Sequence, residues 1–230
     1  ALCRTLIDLQ HRKTREALVG NALLSPTDLI RLLLQDLRAL APDEADPSHL
    51  AELDRAQLLE RFDRFVADLR ASGDAAVVIV DEAHSLPPST TDQLIELATL
   101  PSNRDRALQF LLAAQPAVGG APVLPALVDQ RVNVRARLLP LERDECEKYI
   151  AHRLAVAGEF GITFSVEATD VIYRLSGGVP RLVNLLSERA LQEADTARTR
   201  RVEASMIDRA ASALDLIRLR PRRFRWYGTR

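Results

Sequence analysis

The stretch AAVVIVDE, residues 75–82, decides the fold of this chain. Its first six residues are small or β-branched and apolar without alternation, which predicts a strand buried on both faces of a parallel sheet. Asp81 and Glu82 follow directly, at the edge where open α/β sheets place their ligands. In a nucleotide hydrolase, the first such acid holds Mg²⁺ and the second activates the attacking water. The alternative interpretation is that both acids only cap the next segment.

Strand and helix signals alternate on both sides of this stretch as far as about residue 139. Apolar runs predict further strands at residues 14–20, 107–114 and 132–138. Capping residues and amphipathic spacing predict helices at residues 26–40, 48–71, 89–100 and 125–129. This alternation predicts a doubly wound α/β layer. Five proline and glycine residues interrupt the uncharged stretch 107–128, so we interpret it as a strand, a loop and a short helix rather than a membrane span.

The strand signal almost vanishes after Pro140. Capping and breaking residues there predict helices at residues 142–157, 165–176, 180–194 and 203–216. A short extended piece is predicted at residues 199–202. The pattern indicates a small helical domain that follows the α/β domain.

Charge and composition narrow the classes of protein to which the chain can belong. The 230 residues carry a formal charge of −1, yet residues 216–230 hold six arginines and no acid, so the body is mildly acidic and the tail is basic. Aromatic residues make up only 4% of the chain, which disfavours a stacking platform for single-stranded nucleic acid. Cys3 and Cys146 lie far apart without a CxxC motif. The sequence therefore predicts neither a disulfide framework nor a cysteine metal site. It predicts a reducing compartment.

Two polar residues can join Asp81 and Glu82 at the edge of the sheet. Gln115 ends the predicted strand 107–114, where its amide can bind an attacking water or a terminal phosphate, or can simply end the strand before Pro116. His84 completes the tetrapeptide DEAH, which invites a helicase interpretation. The chain has neither the tandem α/β domains nor the basic aromatic track that a helicase needs. For His84 itself we favour a structural or solvated histidine over a contact with a neighbouring element or with a phosphate.

Two arginines are further candidates. Arg131 precedes the predicted strand 132–138, where a guanidinium can reach across a subunit boundary or can be an ordinary solvated side chain. Arg181 follows the stretch Gly177–Pro180 in the first turn of a predicted helix. A cation there opposes the helix dipole, which favours a role such as gripping a phosphate over one in stability.

The order of these motifs resembles the AAA+ ATPases of the general secretion pathway protein A type. The motifs that carry the resemblance are Ile79–Ala83, Gln115-Pro116, residues 130–132, residues 139–141 and residues 177–184. The resemblance covers nearly the whole chain to about Leu216. It implies a P-loop NTPase domain at residues 1–139, with a parallel sheet flanked by helices. It also implies a helical lid domain at residues 140–216, and ATP and Mg²⁺ as cofactors of the intact protein.

The resemblance also implies roles for five residues. Asp81 and Glu82 would be the Walker B pair, with Asp81 holding the metal and Glu82 acting in catalysis. Gln115 would be sensor 1 and Arg181 sensor 2, both binding the nucleotide, and Arg131 would be the arginine finger. One departure is His84, which stands where such proteins are expected to have glutamine, and it leaves the coupling to the sensor elements open.

The larger departure is an absence. A Walker A loop has the pattern GxxxxGK[ST], and this chain has no Gly-Lys pair, since Lys13 and Lys148 are its only lysines. Residues 2–4 resemble those that directly follow that loop. We therefore expect the chain to begin just after Walker A and to lack the central strand that precedes it. Two strand edges would then face a gap, so we expect these residues alone to be inactive, and poorly soluble or partly unfolded.

The basic, aromatic tail at residues 217–230 fits a juxtamembrane segment or a nucleic-acid patch, of which we favour the first. We therefore expect a homo-oligomer at the cytoplasmic face of the inner membrane, energising the assembly of a secretion or pilus machine, with a nucleic-acid partner disfavoured. Two alternatives stay open. One is an AAA+ regulator of DNA transposition, which would bind DNA. The other is an interaction module that works without a P-loop.

Overall fold

The computed structural model describes residues 14–21, 24–40, 47–115 and 124–214. The chain divides into two compact units between Arg135 and Ala136. Several predictions from sequence, namely the tail at residues 217–230, the motif at residues 2–4 and the loop after Gln115, lie outside the described residues. In the described ranges, no helix combines the length and the apolar character that crossing a bilayer requires.

Among its described residues, the first unit has a parallel sheet of three strands in the order β1-β2-β3. The strands are β1 (Thr14–Val19), β2 (Ala75–Val80) and β3 (Leu108–Leu112). Strand β2 is central, and Val80 lies opposite Val19 on one side and Leu112 on the other. This confirms the predicted buried parallel strand. Because all three strands end at the same edge, the residues that follow them are brought together there.

Helices cover this sheet. They are α1 (Pro26–Asp36), α2 (Pro47–Glu52), α3 (Arg55–Ser72), α4 (Pro88–Ala98) and α5 (Ala126–Asp129), with single 3₁₀ turns at Ala83–Ser85 and Pro101–Asn103. The prediction of one long helix at residues 48–71 was wrong, because Asp54 and Gln57 form a capping box that starts α3 anew. Phe62 of α3 and Leu29 of α1 are fully buried in the core against the sheet.

The prediction of a strand at residues 132–138 was also wrong. Residues 132–142 have no regular secondary structure, and Val134 and Leu138 are 84% and 77% exposed. Arg135 donates hydrogen bonds to the carboxylate and the carbonyl oxygen of Asp129, at 2.7 and 2.9 Å, which turn the chain back onto the end of α5. Among the described residues, β3 pairs only with β2. The part of the chain that the structure describes therefore offers this segment no strand with which to pair.

The second unit is helical, as predicted. Its elements are α6 (Arg143–Val156), β4 (Thr163–Phe164), α7 (Val166–Ser176), α8 (Pro180–Thr196), β5 (Arg201–Val202) and α9 (Ala204–Ala213). The two short strands pair in parallel, and β4 was not predicted. Ile172, Leu186 and Cys146 are fully buried in a core of this unit's own. Burial raises the pKa of the Cys146 thiol, which suits a packing role better than a reactive one.

Candidate active site

Main-chain hydrogen bonds continue past the ends of the three strands and assemble the carboxyl edge of the sheet. The N–H of Asp81, the first residue after β2, donates to Val19 O at the end of β1, at 3.0 Å. On the other side, the Ala83 N–H donates to Ala113 O at 2.8 Å. The chain after β2 is thereby fixed between its two neighbours. Gln115, two residues beyond Ala113, is brought beside Glu82.

Glu82 has an unusual backbone conformation. Its φ and ψ of 51° and 38° lie in the left-handed region, and its carbonyl oxygen accepts from Ser85 N in the 3₁₀ turn that follows. Its own N–H donates to Asp81 Oδ1 at 3.0 Å. A left-handed residue other than glycine costs on the order of 1–2 kcal/mol, and such costs are concentrated at functional sites. Arg38, Arg106 and Arg198 also have positive φ, so this conformation shapes the turn without deciding between a functional and a capping role.

Two neighbouring side chains engage the Glu82 carboxylate, which is half exposed. The side-chain amide of Gln115 donates to Oε1 and Oε2 of Glu82, both at 3.1 Å. The ring atom Nε2 of His84 lies 3.4 Å from Oε2. The other ring nitrogen, Nδ1, accepts the Gln115 main-chain N–H at 3.3 Å. Glu82, His84 and Gln115 therefore form one connected polar cluster.

Arg131, which belongs to the same unit as this cluster, makes no contact with it among the described residues. Arg131 is exposed just after α5 and donates to Leu127 O at 2.9 Å, within its own turn. The neighbouring Asp129 is paired with Arg135, whose hydrogen bond lowers the pKa of that carboxyl. Asp129, the acid near Arg131 in the sequence, therefore pairs with Arg135 instead. Arg131 is left with a main-chain partner that its guanidinium can exchange for another acceptor at little cost.

Arg181 belongs to the second unit, in the exposed first turn of α8. The turn before that helix is closely packed: Gly177 and Gly178 have φ of 59° and 75°, and the Leu141 N–H donates to Gly178 O at 2.9 Å. A Cβ on Gly178 would lie 2.0 Å from Leu141 O, so only glycine fits there. The pair of glycines fixes where α8 begins and thus where Arg181 projects from its first turn.

Comparison with known proteins identifies the family. A family model described as an AAA domain matches residues 1–119, which include β1, β2, β3 and the cluster at their carboxyl edge. The chain belongs to the AAA+ ATPase family. General secretion pathway protein A of Aeromonas hydrophila is 33% identical to this AAA+ chain over 190 residues, which are 82% of this chain and 33% of that protein. The chain therefore spans about a third of the length of this relative.

Solved structures agree on the fold of this AAA+ chain. The ADP form of the ORC2 protein of Aeropyrum pernix matches with a TM-score of 0.60 and 16% identity, covering 92% of this chain and 55% of that one. A variant of Thermotoga maritima RuvB matches with a TM-score of 0.51 and 14% identity, covering 93% of this chain and 66% of that one. These similarities support the P-loop NTPase fold and, at such low identity, nothing finer.

The sequence interpretation missed the contact that His84 makes. It favoured a structural or solvated histidine and named no partner, and the ring lies against the Glu82 carboxylate and the Gln115 main chain. The position of the ring depends on the left-handed turn at Glu82, and a glutamate gives no sequence signal for that conformation. The register of the parallel strands was a usable signal for Gln115, since it places the ends of β2 and β3 side by side.

Proposed function

We propose that this chain supplies the hydrolytic part of an ATPase module. Glu82 polarises the attacking water. Gln115 holds the Glu82 carboxylate and also binds the nucleotide. The observation that carries the proposal is the position of Glu82, which follows β2 beside Asp81 while Gln115 reaches its carboxylate from the end of β3 at 3.1 Å. A carboxylate held in this way is a suitable base for proton transfer from water.

We propose Asp81 as the ligand of Mg²⁺. Its Oδ1 accepts the Glu82 N–H, which orients the carboxylate, and no described residue bonds Oδ2. Mg²⁺ in nucleotide sites is held by one or two carboxylates together with phosphates and water, so a single acid fits this ion. When bound, Mg²⁺ supplies positive charge to the phosphates as they separate. Asp81 and Glu82 thus have separate tasks, with Asp81 turned to the metal and Glu82 to the water.

We propose that Arg131 and Arg181 act on the nucleotide from other parts of the assembly. Arg131 is exposed and bound only to Leu127 O among the described residues, which leaves it able to reach the site of another copy in a homo-oligomer. Arg181 is exposed in the first turn of α8, where a cation opposes the helix dipole and is better placed to hold a phosphate. The expected consequence is that both arginines are needed for turnover.

Replacement of the proposed base tests the reaction. In the natural full-length protein that carries this chain, we expect Glu82→Gln to retain Mg²⁺-dependent ATP binding and to lower kcat by about 10²- to 10⁴-fold, because general bases contribute this much. Glu60→Gln is the matched control, since Glu60 is exposed on α3 and pairs only with Arg64 among the described residues. Phosphate release and binding of labelled ATP are measured for both. Turnover by E82Q equal to that of E60Q would contradict the proposal.

We propose a cellular role in secretion, at the cytoplasmic face of the inner membrane. The support is the name of the Aeromonas hydrophila relative, a general secretion pathway protein. In a deletion strain, the wild-type gene should restore the export of secreted proteins to the medium, and the E82Q allele should not. Restoration by E82Q would mean that ATP turnover at this site is not what the pathway uses.

A further inference from the structure

His84 connects the two strand ends on which the proposed reaction depends. Its Nδ1 accepts the main-chain N–H of Gln115 at 3.3 Å, and its Nε2 lies 3.4 Å from Glu82 Oε2. The His84 side chain is 31% exposed and that of Glu82 is 49% exposed. One imidazole ring therefore links the main chain beyond β3 to the carboxylate beyond β2.

The hydrogen bond from Gln115 sets the tautomer of this ring. A ring nitrogen that accepts a hydrogen bond carries no proton, so the neutral imidazole has its proton on Nε2. Nε2 lies 3.4 Å from Glu82 Oε2, which is a polar contact longer than an ordinary hydrogen bond. The ring therefore has one nitrogen bonded to the Gln115 main chain and the other in polar contact with the Glu82 carboxylate.

We infer that His84 is the positioning residue for Glu82, an inference that rests on the proposed function. A half-exposed glutamate has many rotamers, and an attack geometry that is off by about 1 Å can cost about 10²-fold in rate. Gln115 alone restrains the carboxylate through one flexible amide, which donates to both oxygens. The ring adds a second, rigid contact on Oε2 only. Among the described residues, Oε1 accepts only from Gln115, which leaves it a lone pair for the proton from water.

The ring also makes the two strand ends act together. Gln115 holds Glu82 through its side chain and holds His84 through its main chain. A shift of the segment after β3 therefore moves the amide and the ring at the same time, and both contacts to Glu82 change. This closed cycle of three residues couples the Gln115 segment to the orientation of the base.

Substitutions of His84 in the full-length protein test the role. Leucine removes both ring nitrogens, so we expect His84→Leu to lower kcat for ATP by about tenfold or more, with KM unchanged, because only the orientation of the base is lost. Glutamine offers a carbonyl oxygen to the Gln115 N–H and an amide N–H to Glu82, so His84→Gln should keep kcat close to that of the wild type. His152→Leu, at an exposed histidine of α6, is the control.

Thermal unfolding of each variant shows whether a loss of activity comes from a loss of the fold or from a change in the position of Glu82. If H84L unfolds, His84→Asn replaces it, since its side chain is too short to span both partners and should lower kcat as leucine does. The decisive measurement is the single-turnover rate in the E82Q background. There H84L should cause no further loss, because the ring acts through Glu82.

The possible results discriminate between the two proposals. Wild-type turnover in E82Q overturns the proposed function itself. If E82Q is inactive while H84L or H84N matches or exceeds the wild type, only the positioning role is overturned. A loss from H84L that persists in full in the E82Q background also overturns it, as does a rise in KM with unchanged kcat. A loss in kcat that H84Q restores and that vanishes in the E82Q background supports it.

Discussion

In the α/β unit, residues that share the core come from strands and helices far apart in the sequence, whereas in the helical unit they come from helices that follow one another. Val19 and Val80 are opposite each other in the sheet, and Leu112 completes the row. In the second unit, Ile172 and Leu186 belong to the consecutive helices α7 and α8. The proposed chemistry lies where distant segments meet, because only there are side chains from several strands brought to one edge.

The largest expected effect is on stability. It contrasts a buried phenylalanine of the α/β unit with an exposed phenylalanine of the helical unit. Phe62 is fully buried in the α/β core, and Phe160 of the helical unit is 84% exposed. We expect Phe62→Ala to lower the free energy of unfolding of the α/β unit by about 3–5 kcal/mol. Phe160→Ala should change that of the helical unit by less than about 0.5 kcal/mol.

Native-state hydrogen exchange in the full-length protein measures both effects, since it reports the stability of each segment separately. In F62A, the amides of β1, β2 and α3 should lose protection, and those of α7 and α8 should keep theirs. The two core clusters have no residue in common, which is the reason for this expectation. An equal loss of protection in both units would contradict the division of the chain into two cores.

The next effect compares two glycines with left-handed backbones. Gly178 in the helical unit has φ of 75°, and an added Cβ would lie 2.0 Å from Leu141 O. Gly73, which ends α3 in the α/β unit, has φ of 70° with nothing within 4 Å of such a Cβ. We expect Gly178→Ala to cost about 2–3 kcal/mol, from backbone strain plus the clash, and Gly73→Ala about 1 kcal/mol from strain alone.

Denaturant unfolding, followed by hydrogen exchange in the unit concerned, measures this pair. Equal costs for G178A and G73A would mean that Leu141 moves aside freely, and the close turn before α8 would then not be rigid. A larger cost for G178A would sharpen the comparison, because it would assign the tighter packing to the unit with the more local fold. It would also predict that Arg181, three residues further along, depends on this turn for its position.

The parts of the fold that local signals determine could be predicted from the sequence. The unbroken apolar run before Asp81 predicts β2, and Ser165 and Gly177 mark the two ends of α7, where Ser165 accepts the Ala168 N–H. The break before α3 could also have been predicted from the sequence, since Asp54 and Gln57 have the spacing of a capping box. The amphipathic pattern that continues across it led to the prediction of one long helix.

What could not be predicted depends on partners distant in the sequence. Alternation at residues 132–138 is a local pattern, but a strand exists only beside another strand, and the described residues offer none there. The ring of His84 meets Gln115 only because β2 and β3 are neighbours and because Glu82 has a positive φ. Asp81 and Glu82 were identifiable as residues, whereas the contacts that orient Glu82 were not.

The smallest expected effect is on the pH dependence of stability. It concerns two acidic residues, one in each unit, that lie in the first turn of a helix. In the α/β unit, the Ser25 hydroxyl donates to Asp28 at 2.6 Å and, together with the nearby Arg31, lowers the pKa of that carboxyl. In the helical unit, the Glu167 main-chain N–H and the Ser165 hydroxyl lower the pKa of Glu167.

A carboxyl whose pKa is lower in the folded chain stabilises the fold above its unfolded pKa, and this contribution is lost as the pH falls through the folded pKa. We therefore expect Asp28→Asn to cost a few tenths of a kcal/mol at pH 7, since Asp28 is 54% exposed. The difference from the wild type should shrink as the pH falls below about 4. Glu167→Gln should show the same sign and the same direction with pH. Denaturant midpoints between pH 7 and pH 2 measure both, and a difference that does not change with pH would mean that packing rather than charge is responsible.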